Sequence, residues 1–385
     1  MGADRPLRVA LDVTAVPRRP VGAGQYVLHL TRALAERPDV ELVVCSRRSD
    51  RDRWLPLVAA APDLVADAPD ARILRLAWEQ VRLGRLVGRT GAALLHGPHY
   101  TMPRHSPVPS VVTIHDLSFF DAPQWHERSK VLLFRRAITV AARDAAVVIC
   151  PSRTTAEALA RWCRVDADVV VAPHGVDDGR FRPDEPSPAG DAAALAAVDS
   201  RLVGGRPYLL FVGTLEPRKD VPTLVDAFSR VAGRHPDALL VLAGGRGWGA
   251  DDVDRAVAVS GVSSRVVRTG YVADDDVPAL LRSAAAAVYP SRYEGFGLPA
   301  LEALACGTTL VTTAGTAMEE VADGAAHLVD PGDPAGLADL LDEVLTGPAD
   351  DARRELGRRI AALHTWEASA ALHLGAYRSA AGRPG

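Results

Sequence analysis

Glu294 and Glu302 stand with seven residues between them in the run Tyr-Pro-Ser-Arg-Tyr-Glu-Gly-Phe-Gly-Leu-Pro-Ala-Leu-Glu-Ala-Leu-Ala-Cys-Gly that begins at Tyr289. Carboxylates repel phosphate but accept hydrogen bonds from neutral hydroxyls such as those of sugars. Between the two, Gly295 and Gly297 let the backbone come close to a ligand. Pro299 then opens a helix whose first free N–H groups suit an anion. A second run, Gly-Thr-Leu-Glu-Pro-Arg-Lys-Asp at 213–220, sets Arg218 beside Lys219. A guanidinium can fork two phosphate oxygens, and an ammonium adds a point charge, so the pair forms a diphosphate clamp. A phosphate cradle flanked by hydroxyl acceptors implies a sugar-nucleotide site. In the other half of the chain, His115 closes the apolar run 111–114, and strand ends are where open α/β sheets hold their chemistry.

These residues need an alternating scaffold, and the chain supplies one. Apolar runs at 7–13, 40–45, 93–96, 111–114, 145–150 and 169–172 read as buried strands, with helices expected at 25–36, 129–143 and 155–163. Ser152 is placed to cap the last of these. Residues 182–207, rich in Pro, Ala, Asp and Gly, read as a linker with room for one short helix. The alternation resumes with strands at 208–212, 238–243, 266–269, 284–289 and 308–312. Asp220 is placed to cap a helix over 221–234, and Gly307 closes the helix that Pro299 opens. Four glycines within 244–249 leave room for ligand contacts or make a mobile loop.

The chain has 385 residues, 48% hydrophobic and 24% charged, with a net charge of −4. Residues 1–190 hold 26 Lys and Arg against 22 Asp and Glu, and residues 191–385 hold 18 against 26. That asymmetry fits a first half that meets an acidic acceptor or membrane surface, and it is too small to imply nucleic-acid binding. The four cysteines (Cys45, Cys150, Cys163, Cys306) show no Cys-x-x-Cys spacing, which implies reduced thiols rather than zinc. The start of the chain shows neither a leader pattern nor a myristoylation signal after Met1-Gly2, and no apolar run reaches the ~20 residues of a spanning helix. A cytoplasmic location is expected. Over 71–90, Arg72, Arg75, Arg82, Arg85 and Arg89 fall within roughly 140° of a helix, with Ile73, Leu76, Ala77, Val81, Leu83 and Val87 opposite. Trp78 and Leu86 break that partition. The segment reads either as a solvated face on a packed helix or as a peripheral contact with a membrane surface.

The run from Ser291 to Ala303 resembles the paired-glutamate motif of retaining GT-B glycosyltransferases of family 4, and the likeness extends over most of the chain, from Leu7 to Tyr377. The resemblance implies an α/β fold with two Rossmann-like, doubly wound parallel-sheet domains facing across a cleft. Residues 1–181 would bind the acceptor, 182–365 the nucleotide sugar, and 366–385 would form a helix crossing back to the first domain. It also implies roles. Gly22 and Gly24 resemble the glycine loop over the donor diphosphate, and Gly270 and Tyr271 the turn along the base. Gly295, Phe296, Gly297 and Leu298 belong to the donor motif, with Glu302 on ribose hydroxyls. Glu294 would meet the transferred sugar and His115 would lie beside it, while Arg218 and Lys219 would stabilise the departing diphosphate in place of a metal.

The implied activity is retaining transfer of a hexose from a nucleotide-diphosphate sugar to a hydroxyl of a glycan, lipid-linked or small-molecule acceptor, with no cofactor and no metal. The donor leans to GDP-mannose, with UDP-glucose or UDP-N-acetylglucosamine next. A nucleotide-sugar epimerase or phosphorylase of the same fold, or a silent binding protein, are the competing classes. Gly22-Ala23-Gly24-Gln25-Tyr26 is not a Gly-x-Gly-x-x-Gly fingerprint, which disfavours a nicotinamide oxidoreductase.

Overall fold

The structure, a computed structural model, describes residues 5–60, 63–183, 188–202 and 205–382. Met1 and Gly2, on which the acylation reading rests, lie outside the described residues. The chain divides into two units, Met1–Gly175 with Trp366–Gly385, and Val176–Thr365.

In the first unit seven strands form one parallel sheet: β1 (Leu7–Asp12), β2 (Val40–Arg47), β3 (Leu64–Ala68), β4 (Leu94–Gly97), β5 (Ser110–Thr113), β6 (Val147–Cys150) and β7 (Asp168–Val171). Their order is β3-β2-β1-β4-β5-β6-β7, so the order reverses between β1 and β4. The short β-branched runs are buried on both faces, as parallel strands under helices must be. Ser152 caps the helix Arg153–Trp162 as expected, its Oγ accepting from the Thr155 N–H at 3.0 Å.

The last helix, Trp366–Ala381, is tied into this sheet by a buried polar chain. The His373 Nδ1–H is donated to the Ser369 carbonyl at 2.7 Å, which makes Nε2 the acceptor for the Tyr26 hydroxyl at 2.8 Å. Thr113 Oγ bonds the same hydroxyl at 2.9 Å and also His96 Nε2 at 2.8 Å, while His96 Nδ1 meets the Tyr377 hydroxyl at 2.8 Å. The His96 and His373 rings each donate through one nitrogen and accept through the other, so the chain of bonds forms with both histidines neutral.

Six strands build the second unit: β8 (Tyr208–Val212), β9 (Leu239–Ala243), β10 (Val266–Gly270), β11 (Ala286–Tyr289), β12 (Leu310–Thr313) and β13 (Ala326–Val329). They too are parallel, in the order β10-β9-β8-β11-β12-β13, with the reversal between β8 and β11. Ligands of such sheets sit beyond the carboxyl ends at that reversal.

The stretch 182–207 holds one short helix, as expected, Pro188–Val198, fastened by Arg282, whose Nε donates to Asp191 at 2.9 Å. Two expectations change. Asp220 sits in the left-handed region at φ 47° and its side chain caps no helix; it takes the Arg292 Nε–H at 2.7 Å instead. The second change concerns 71–90, which is not one amphipathic helix. Arg72–Trp78 runs into a π turn, Glu79–Leu83, and then Gly84–Val87. The wider turn shifts all later positions around the axis, so a constant 100° step fails there. Trp78 and Val87 are buried, whereas Ile73 is 81% and Val81 64% exposed. The orientation is decided by the indole, which brings more apolar area than Ile73 and can donate Nε1–H to Asp67 at 3.1 Å. Arg75 turns inward, leaving Arg72, Arg82, Arg85 and Arg89 exposed.

Candidate functional site

In the second unit the two chemical runs meet. β8 and β11 are hydrogen-bonded neighbours, so the loops that leave them stand side by side. Lys219 Nζ donates to Glu294 Oε1 at 2.9 Å, and Arg218 Nη1 donates to Glu294 Oε2. Ser291 Oγ adds a bond to Oε1 at 3.1 Å. Arg218 is held further by Glu216, which accepts from Nε at 2.8 Å, and by the Tyr293 carbonyl at 3.3 Å. The backbone N–H of Arg292 closes the two loops together on the Arg218 carbonyl at 2.8 Å.

Burial alone would push the Glu294 carboxyl up. The Arg218 and then the Lys219 cations outweigh it and hold the group at about 2. Glu294 and Glu216 together balance Arg218 and Lys219, so these four side chains fix the two cations in place with no net charge of their own. Glu302, half-buried in the helix Leu298–Ala305, behaves differently. Burial pushes it up to about 7, opposed by Arg180 and assisted by Asp274 and Asp177. One glutamate is therefore fixed as a charge, and the other titrates near neutrality.

Gly297 precedes that helix at φ 109°, and a Cβ there would stand 2.6 Å from Met318 Cγ, so the turn admits only glycine. Gly295 lies between Glu294 and this turn; Phe296 is buried in the core, and Leu298 packs against it. Gly270 ends β10 at φ 68°, followed by Tyr271, which is 53% exposed with its hydroxyl on Asp274 at 3.2 Å. In the 244–249 loop, a Cβ on Gly247 would meet the Leu215 carbonyl at 2.6 Å. Those glycines let one loop back directly onto the segment that leads to Arg218.

In the first unit His115 follows β5 and is buried. Its Nε2–H is donated to the Pro98 carbonyl at 2.8 Å, which makes Nδ1 the acceptor nitrogen. Burial lowers its pKa, against the Pro98 bond and Asp116, so the ring stays neutral. Tyr26, Tyr100, His99 and His174 surround it with ring centroids 5.0–5.9 Å away. Gly22, at φ 50°, precedes the helix Ala23–Ala35, and Gly24 lies in its first turn against Pro17 and Pro20. Gly24, Asp12 and His99 line a cavity of about 180 Å³ beyond β1, at the point where the sheet order reverses.

Comparison with known proteins gives this geometry a family. Residues 20–180 match the model described as Glycosyltransferase Family 4, and residues 197–362 the model described as Glycosyl transferases group 1. The D-inositol 3-phosphate glycosyltransferase of Salinispora arenicola is 31% identical over 94% of this chain and 90% of its own. The chain belongs to glycosyltransferase family 4. The O-antigen chain mannosyltransferase B of Escherichia coli is 28% identical over 93% of this chain and 96% of that one. Among solved structures, HepE of Anabaena in complex with UDP and glucose superposes with a TM-score of 0.69 at 17% identity, covering 97% of this chain and all of that one. Two Rossmann-like parallel-sheet units and these neighbours establish the GT-B class.

This family 4 glycosyltransferase also holds charged groups that sequence reasoning passed over. Asp12, at the end of β1, accepts the Thr14 N–H at 2.9 Å. Burial raises its pKa, with Arg75 opposing. Arg75 reaches Thr14 Oγ at 3.2 Å and lies 3.7 Å from the buried Glu79. Asp12 could have been found from its place at the end of the strand where the order reverses. Glu79 carries no such signal; it is buried where the helix Arg72–Trp78 passes into the π turn.

Proposed function

We propose that this glycosyltransferase moves a hexose from a nucleotide-diphosphate sugar to an acceptor hydroxyl with retention of anomeric configuration and without a metal. The observation that carries the proposal is the joint hold of Arg218 and Lys219 on Glu294. Breaking a glycosyl–phosphate bond passes through an oxocarbenium-like state while negative charge grows on the departing diphosphate. Cations already fixed in place stabilise that charge without reorganising as it forms. The helix start after Gly297 would add backbone N–H groups, Glu302 would accept from ribose hydroxyls, and Glu294 would face the transferred sugar. On the acceptor side, neutral His115 would offer Nδ1 as a hydrogen-bond acceptor beside that sugar.

The E. coli relative is named a mannosyltransferase, and HepE was solved with UDP and glucose. GDP-mannose is therefore the first donor to test, with UDP-glucose and UDP-N-acetylglucosamine next. No helix among the described residues is long and apolar enough to cross a membrane. Peripheral contact through 71–90 is part of the proposal, now resting on exposed Ile73, Leu74 and Val81 as well as on arginines.

A thermal-shift panel of nucleotide sugars, followed by turnover of the stabilising donor, tests the assignment, because a ligand that binds the folded state raises the melting temperature. Glycoside formation that survives chelation is the expected result. Loss of activity with chelator and recovery with Mn²⁺ would refute metal independence. Isomerisation of the donor, or its cleavage by free phosphate without acceptor, would refute the transferase.

A further inference from the structure

Between the helix Arg72–Trp78 with its π turn and the helix Arg128–Asp144, the first unit contains a cavity of about 420 Å³. That is within the size of pockets that take small ligands. Leu76, Met102, Leu133, Ala137 and Val140 supply apolar wall. Its polar groups are occupied by one another. Thr101 Oγ donates to Glu79 at 2.9 Å, and Gln80 Nε2 donates to Glu79 at 3.1 Å and to the Met102 carbonyl at 2.9 Å. Burial and then Asp12 push the Glu79 carboxyl up to about 7, against Arg75. Arg104 and Arg136 also line the cavity, and both are exposed. The apolar character continues onto the surface of the same two helices, with Ile73, Val81 and Leu132 between 64% and 81% exposed. Exposed apolar side chains on the helices that bound a cavity suit a contact site.

An apolar hollow whose lining includes two exposed arginines complements an aliphatic tail with an anionic head. We propose that the cavity seats the tail of an acceptor built on a single aliphatic chain bearing a phosphate, with Arg104 and Arg136 on the phosphate. This rests on the transferase reading and names the acceptor class within it. The chain enters along Leu133 and Ala137, and the exposed Ile73, Val81 and Leu132 meet the lipid surface it comes from. The π turn opens with Glu79 and Gln80, which bond Thr101 and the Met102 carbonyl, and Leu76 of the preceding helix lies on the wall.

The test uses the full chain with farnesyl phosphate, lysophosphatidic acid, farnesol and inorganic phosphate, each below its aggregation limit, and calorimetric titration as the readout. Binding of farnesyl phosphate alone supports the proposal and assigns an isoprenoid chain; binding of lysophosphatidic acid alone supports it and assigns an acyl chain. Ala137→Trp, which fills the hollow, should weaken either by at least ~10-fold, and Arg104→Gln with Arg136→Gln should weaken the phosphates but not farnesol. Leu133→Trp serves as a second filling variant should Ala137→Trp fail to fold. No binding by either chain phosphate, or unchanged binding in a folded filled variant, overturns the proposal. Nucleotide-sugar binding measured on the same samples keeps the two ideas separate: donor binding without chain binding removes only this inference, and chain binding without donor binding removes the transferase reading.

Discussion

Lys219 Nζ and Glu294 Oε1 lie 2.9 Å apart, joining loops that leave two adjacent parallel strands 75 residues apart in sequence. Both side chains are almost fully buried. Such a pair is expensive to break, because removing one partner strands the other charge away from water.

Lys219→Met and Glu294→Gln should therefore each lower the unfolding free energy by about 3–5 kcal/mol. The double replacement should cost less than the two added together. Chemical denaturation of the three variants checks this, and strict additivity would show the pair to be uncoupled.

Arg218 reaches the same carboxylate but is more exposed, so its loss should be felt in catalysis more than in folding. Arg218→Ala should reduce turnover by ~100-fold or more while the donor's KM moves far less. Steady-state kinetics with saturating acceptor separate the two constants. A raised KM with unchanged turnover would mean that the guanidinium binds donor and transition state alike, without favouring the latter.

Glu302 provides a pH signature. Its folded-state pKa of about 7 lies above the ordinary carboxylate value, so ionising it costs stability as pH rises through that interval. Only the carboxylate form can accept from two ribose hydroxyls without offering a proton in return. Nucleotide affinity should thus increase between pH 6 and 8, and Glu302→Gln should abolish the trend. Titration of the nucleotide at several pH values is the measurement.

The histidines of the first unit make the opposite demand. Burial depresses His96, His115 and His174, holds His99 at about 3 and His373 at about 4. Unfolded imidazoles take protons near 6.5, so the native state is fully favoured above that value and loses stability as pH falls below it. The melting temperature should drop from pH 7 to pH 5 with a slope of more than one proton. His373→Gln should flatten the slope, because Gln can still bond Tyr26 but does not titrate.

Much of this was legible along the chain. Arg218 beside Lys219 after one apolar run, and Glu294 before a glycine turn and a proline-opened helix after another, are local patterns that neighbouring residues alone enforce. The alternation of short buried strands with helices is equally local, and so is the Ser152 cap. What residue order could not supply is which distant groups share a charge. Glu294 is held near 2 only because β8 and β11 are adjacent in the sheet, and His373 is neutral only because the last helix returns to Tyr26 and Thr113. The segment 71–90 makes the same point in reverse. Its arginine spacing promised a basic face, yet the area gained by burying Trp78, together with one wider turn, put Ile73 and Val81 into solvent and Arg75 and Glu79 inside. Periodicity sets what a segment can offer, and packing against the rest of the sheet decides which side is taken up, since burial energy is summed over contacts far apart in sequence.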